Sequence, residues 1–178
     1  MKLYILRHGE TPENIACLNN GWNETHLTEK GIEQAKEANN IVKQLPIDLI
    51  ICSPLYRTRQ TMKYATEGMD VPVSFDSRLK ERNSKSMLEK PVSLLDPNIW
   101  YDKTKDIVYD DNEGFKHMLE RVTDFFNEIK VKYNNKTILL VTHGDLMRAM
   151  ESYFNPQLTS EDLWNISYKN CQLIEHEL

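Results

Sequence analysis

The sequence predicts an α/β protein built on a largely parallel sheet, and three observations lead there. Short, almost continuously apolar runs at Leu3–Leu6, Asp48–Ser53 and Lys136–Thr142 each stop at a polar residue, the pattern of strands buried on both faces. Between them apolar residues recur every three or four positions, most clearly from Phe115 to Tyr133. Strand and helix patterns alternate repeatedly over 178 residues, a length that suits one domain, 1–178, with ample material for a core.

Taken in order, the first strand ends at Arg7, and His8, Gly9, Thr11, Pro12 and Asn14 follow it. Open α/β sheets bind ligands just beyond the carboxyl ends of their strands. The stretch Asn19–Leu27 is a loop of turn formers, with Trp22 as core or rim. Thr28 then suits a helix N-cap, with Ile32, Ala35, Ala38, Val42 and Leu45 on one face until Pro46. After the Asp48–Ser53 strand, Pro54 opens a helix-compatible stretch, Leu55–Met69, and Val71–Phe75 reads as a third strand that Pro72 assigns to a strand start or a sheet edge. From Arg78 to about Asn112 the periodicity is lost. This is an excursion holding one helix, with residues 84–112 as its specificity segment. Phe115, Met118, Val122, Phe125, Phe126 and Ile129 form the stripe of a long core-facing helix. The Lys136–Thr142 strand, a helix from His143 to Phe154 and a final strand at Cys171–Glu177 complete the chain.

Composition narrows the function. A net charge of −5 argues against a nucleic-acid partner, whereas a local arginine cluster still permits a small anion. No stretch approaches the roughly 18 apolar residues of a membrane helix, and Met1 leads directly into a strand pattern, so the reading is a cytoplasmic protein without signal peptide or membrane partner. Cys17, Cys52 and Cys171 are widely spaced and form no CxxC pair, which speaks against a disulfide framework or structural zinc; Cys52 reads as a core residue.

Two strands end alike, YILRHG at Tyr4–Gly9 and LLVTHG at Leu139–Gly144. If both are parallel and central, His8 and His143 meet at one sheet edge. The Asp48–Ser53 strand brings Arg57 or Arg59 to the same edge, where Arg7 and Arg57 can grip phosphate oxygens by charge-assisted bonds. Amides at the start of the helix after His143, Gly144 among them, would add to an anion site.

The set RHGETPEN (Arg7–Asn14), GW (Gly21–Trp22), LTEKG (Leu27–Gly31), SPLYRTRQT (Ser53–Thr61), LKE (Leu79–Glu81) and VTHGD (Val141–Asp145) resembles the histidine phosphatase superfamily, with its phosphoglycerate mutase-like branch, along nearly the whole chain. The resemblance implies a three-layer α/β/α sandwich. It implies His8 as the phosphorylated nucleophile, Arg7, Arg57 and His143 as the phosphoryl-binding and transition-state residues, Asn14 as a further phosphate contact, and Glu81 as the general acid. Two departures stand out. No glycine follows Glu81 in RNSKSMLEK, which leaves Glu89 as a lesser substitute, and the family's GES stretch is here NEG, where Glu113 reads either as a residue supporting the site from behind or, the reading preferred, as an ordinary residue at a helix start.

The main expectation is a metal-independent, cofactor-free hydrolase of small phosphomonoesters that passes through a phosphohistidine on His8. GWNETHL and Arg82 suit a mutase, against which the short 84–109 stretch stands. A phosphate-binding protein without turnover is the alternative of another class, disfavoured by the joint presence of Arg7, His8, Arg57 and His143. A metallohydrolase built on His8, His26, His117 and His143 lacks a ligand-like spacing such as HExxH.

Overall fold

In the computed structural model, which describes residues 1–178, the elements in chain order are β1 (Lys2–Arg7), α1 (Pro12–Ile15), α2 (Glu29–Val42), β2 (Leu49–Cys52), α3 (Tyr56–Ala65), β3 (Val73–Phe75), α4 (Pro97–Trp100), β4 (Ile107–Val108), β5 (Asn112–Glu113), α5 (Phe115–Lys132), β6 (Thr137–Thr142), α6 (Gly144–Phe154), α7 (Ser160–Asn165) and β7 (Leu173–Glu177). Five strands form one sheet in the order β3-β2-β6-β1-β7. β1, β2, β3 and β6 are parallel, and β7 runs antiparallel to β1. Pro72 pointed to a strand start or a sheet edge; it directly precedes β3, which is the edge of the sheet.

Alternation along the strands divides the interior in two. Leu3, Ile5, Leu49, Ile51, Ile138 and Leu140 face α5 and α6, where Phe115, Met118, Val122, Phe125 and Phe126 join them. Tyr4, Leu6, Ile50, Cys52, Leu139 and Val141 face the other way, against Ala38 and Val42 of α2 and Ala65 of α3. The molecule is thus the expected α/β/α sandwich. Sheets buried on both faces require strands without polar alternation, which is why these runs were legible as strands.

Local chemistry fixes the ends of the helices. Thr28 accepts a hydrogen bond from Gly31 N and caps α2, as its sequence position predicts. Pro12 occupies the first turn of α1, and Thr11 and Asn14 close a reciprocal capping box. The excursion is built from short 3₁₀ turns at Ser77–Leu79, Lys85–Met87 and Val92–Leu94, with α4 and the antiparallel pair β4–β5. It is joined to the first loop by a bridge between Leu18 and Pro91. At the outer edge the chain ends meet: the Met1 amino group donates to Leu178 O at 3.1 Å, and Leu178 N donates to Met1 O at 2.9 Å.

Candidate active site

Register decides which residues converge. Arg7 pairs with Thr142 and Cys52 with Val141, so the three central strands end level. Immediately beyond them His8 N donates to Thr142 O and Ser53 N to Val141 O. His8 and His143 therefore meet, with ring centroids 5.3 Å apart. A cavity of about 360 Å³ opens here, lined by Arg7, His8, Asn14, Glu81, Gly144 and Asp145 at its polar end.

His8 Nδ1 lies 2.8 Å from Gly9 O. A carbonyl only accepts, so Nδ1 carries the proton and Nε2 keeps its lone pair. Burial, with Arg57 and Arg7 nearby, pushes the imidazole well below its usual range, so it is neutral at physiological pH. His143 is likewise pushed well down by burial, Arg57 and His8, and its Nε2 is 2.8 Å from Ser53 Oγ.

Three buried nitrogens around His8 have no protein partner: Arg7 Nε, Arg57 Nε and His143 Nδ1. Leaving a buried donor unpaired costs roughly 1–3 kcal/mol each, so the two arginine nitrogens are suited to an anion, and His143 Nδ1 joins them in the tautomer whose Nε2 accepts from Ser53 Oγ. Arg7 Nη1 is anchored on Tyr168 O. Arg57 donates through Nη1 to Asn23 O at 2.9 Å and through Nη2 to Gly21 O at 2.8 Å, which orients the fully buried guanidinium and leaves Nε uncommitted. Of the two arginines considered for this strand end, Arg57 is the one at the site. Arg59 is exposed, its guanidinium 5.1 Å from the Tyr56 ring centroid. Asn14 Oδ1 accepts from Thr11 N and Asn170 Nδ2, which leaves its Nδ2 for the cavity it lines.

Glu81 reaches the same cavity from the turn after β3. Its Oε1 accepts from Arg82 N at 3.0 Å and Leu146 N at 3.2 Å, and its Oε2 from Asp145 N at 3.3 Å. Thus two of the first-turn amides of α6 serve Glu81, and the anion-binding contribution expected there is reduced to Gly144, which lines the cavity. Burial and the neighbouring Asp145 carboxylate raise the Glu81 pKa and outweigh Arg57 and these amides. Asp145 itself resists protonation. Burial opposes its charge, but Arg82, Arg148, Tyr101 and Trp100 hold it below the usual range, with Tyr101 Oη and Trp100 Nε1 donating at 2.7 and 2.8 Å. Of this pair, Glu81 takes the proton.

Several expectations need correction. Glu113 is not an ordinary helix-start residue: it lies in β5, buried, and its carboxylate accepts from Arg121 Nε and His117 Nδ1, both at 2.7 Å, and from Asn83 N at 3.0 Å. Glu89 sits outside the cavity and binds Asn23 Nδ2, so it is no substitute acid. His26 packs on Tyr56 and His117 on Glu113, so the four histidines weighed for a metal site do not meet. Trp100 and Tyr101 are buried in the core and also wall the cavity. Asp145 and Arg148 were missed. Their i, i+3 ion pair at 3.0 Å is the one sequence signal that marks them, and it looks like any helical pair.

The fold is that of a phosphoglycerate mutase-like α/β enzyme, with two buried histidines side by side where its central strands end. The chain belongs to the histidine phosphatase superfamily (branch 1), whose family model matches residues 3–178, and it is an enzyme of that type, in which catalysis characteristically passes through a phosphohistidine. It is 32% identical over 158 residues to the adenosylcobalamin/alpha-ribazole phosphatase of Salmonella typhimurium, covering 84% of this chain and 77% of the relative. It is 28% identical over 207 aligned positions to a 2,3-bisphosphoglycerate-dependent phosphoglycerate mutase of Lactobacillus acidophilus, covering 94% of this chain and 89% of the relative. Among solved structures, a putative alpha-ribazole-5'-P phosphatase from Escherichia coli superposes with a TM-score of 0.83 at 25% identity, covering 98% of this chain and 89% of that one. Bacillus stearothermophilus YhfR shares the fold, with a TM-score of 0.86 at 24% identity and coverage of 99% and 91%.

Proposed function

We propose that the protein hydrolyses small phosphomonoesters without a metal or cofactor, through a phosphoenzyme on His8. The observation that carries this reading is the neutral His8 imidazole, its Nδ1 proton engaged by Gly9 O, set among the unpartnered nitrogens of Arg7, Arg57 and His143. Nε2 attacks phosphorus, the ester P–O bond breaks, and Glu81 gives its proton to the departing alkoxide. The Glu81 carboxylate then takes a proton from water, whose oxygen attacks the phosphohistidine, and inorganic phosphate leaves. Arg7, Arg57 and His143 stabilise the charge on the equatorial oxygens, which is most of what phosphoryl transfer requires.

Hydrolysis is favoured over mutase chemistry by the rest of the cavity. Beyond Arg7 and Arg148 its lining has no cation, and Arg148 is paired with Asp145. A carboxylate or second phosphate on the substrate finds no counter-charge there. The alignment with the mutase is also longer than this chain, so the mutase has stretches that this chain lacks. Residues 84–112 contribute Val92, Leu95, Trp100 and Tyr101 to the cavity, which supports their assignment as the specificity segment of one domain. A phosphate ester of a neutral, partly apolar alcohol fits, and alpha-ribazole phosphate belongs in any panel because relatives are named for it. No helix is long and apolar enough to cross a membrane. A cytoplasmic setting and the absence of a nucleic-acid partner are part of the reading, supported by three unpaired cysteines and the charge of −5.

The test is phosphate release from a panel of monoesters with chelator present, alongside trapping of an acid-labile, base-stable phosphoenzyme. Wild type is expected to release phosphate regardless of chelator, and His8→Ala to lose essentially all release and all trapped label. Chelator-sensitive turnover, or label retained in His8→Ala, would falsify the mechanism.

A further inference from the structure

Glu81 is held at three points, and only one of them is its carboxylate. Its backbone carbonyl accepts from Trp22 Nε1 at 2.6 Å and from Arg121 Nη2 at 3.1 Å. Arg121, which projects from α5, also donates through Nη1 to Arg78 O at 2.6 Å and Lys80 O at 2.8 Å. One guanidinium thus ties down three backbone carbonyls, those of Arg78, Lys80 and Glu81, within four residues. Arg121 is in turn fixed by Glu113, through Nε to Oε1 at 2.7 Å and Nη2 to Oε2 at 3.0 Å, a bidentate pair with side chains only 12% and 6% exposed. The same Glu113 pins the chain on the far side of Glu81: Asn83 N donates to Glu113 Oε2, and Glu113 N donates to Asn83 O at 2.9 Å.

We propose that Glu113 and Arg121 form a clamp that positions Glu81 for proton transfer, with Trp22 as its outer stop. None of the three lines the catalytic cavity. They act through the backbone of residues 78–83, which explains how the segment after Glu81 holds its path without a glycine there. A buried bidentate pair of this kind is worth little as a source of stability, because desolvation offsets most of the attraction. It does fix geometry, and proton transfer is sensitive to geometry at the scale of 1 Å.

The inference rests on Glu81 being the general acid, and leaving-group chemistry separates the two ideas. An alkyl phosphate needs its leaving oxygen protonated, whereas 4-nitrophenyl phosphate does not. Arg121→Gln is expected to lose about 10-fold to 100-fold in kcat/KM on the alkyl ester and less than about 3-fold on the aryl ester. In a Glu81→Gln background, Arg121→Gln is expected to add no further loss on the alkyl ester. Trp22→Phe removes one bond from a residue that is 41% exposed, so it folds whatever Arg121→Gln does, and it is expected to show the same selectivity at about 2-fold to 5-fold. Equal losses on both esters, or losses additive with Glu81→Gln, overturn the clamp. If Glu81→Gln itself fails to distinguish the esters, the acid assignment is wrong and the clamp falls with it.

Discussion

At the scale of single residues, the pocket separates the protonation states of its groups by environment. His8 is kept neutral by burial and two guanidiniums, while burial and a neighbouring carboxylate raise the Glu81 carboxyl above its usual range. Glu81→Gln should therefore cost about 10² to 10⁴ in turnover of a poor leaving group and far less with an activated one. The sign of the pH effect follows: the acid works when protonated, so activity on alkyl esters falls as pH rises through the elevated Glu81 pKa. Because Asp145 is one cause of that elevation, Asp145→Asn should move this alkaline limb to lower pH, and a limb that stays in place would remove Asp145 from the account. His8, His143 and Arg7 were legible in the sequence because each ends or follows a strand with a recognisable pattern, whereas that pattern left Arg57 and Arg59 open and the family resemblance singled out Arg57. Asp145 and Arg148 were not, since a charged pair three residues apart on a helix is ordinarily a solvated face.

Among the elements, the long helix α5 and strands β1 and β6 follow directly from their apolar spacing. The excursion does not, because its order comes from side-chain-to-backbone bonds such as those of Asn112 and Glu113, which have no period. The two short helices α1 and α7 escaped for another reason: each is a single capped turn or little more, set by Thr11 and Thr159 and not by an apolar face. One contact between elements carries a direct consequence for catalysis. The start of α2 lies so close to the loop after His8 that a Cβ on Gly31 would stand 2.2 Å from Glu10 O, and one on Gly9 would stand 2.5 Å from Gly31 O. Gly31→Ala must push that loop, with an expected loss of about 1–3 kcal/mol in stability. It should also lower kcat, since the displaced backbone includes the carbonyl that orients His8. Stability loss with unchanged kcat would show that the strain is absorbed on the α2 side.

For the molecule as a whole, alternation of strands and helices was enough to give an α/β fold on a largely parallel sheet, because a sheet covered on both faces leaves its strands no polar positions to blur the pattern; the three-layer sandwich came from the family resemblance. The final strand was also legible, at Cys171–Glu177; what the pattern did not give is its antiparallel place beside β1, where it closes the sheet with residues that are only half buried and alternate weakly. That closure has a mechanical side. β1 and β7 are antiparallel, with Lys2 opposite Glu177 and Leu6 opposite Leu173, so residues 1 and 178 sit together at one end of the ladder. Tension applied between them loads the strand pair as a zipper, one rung at a time, and not in shear. In an optical trap the first event should be a low-force peeling of β7 that ends where Cys171 N and Asn170 Nδ2 release His8 O. The chain's pull-tab thus runs straight to the proposed nucleophile, and on that proposal a molecule held at that first step would keep most of its sheet while its chemistry is switched off.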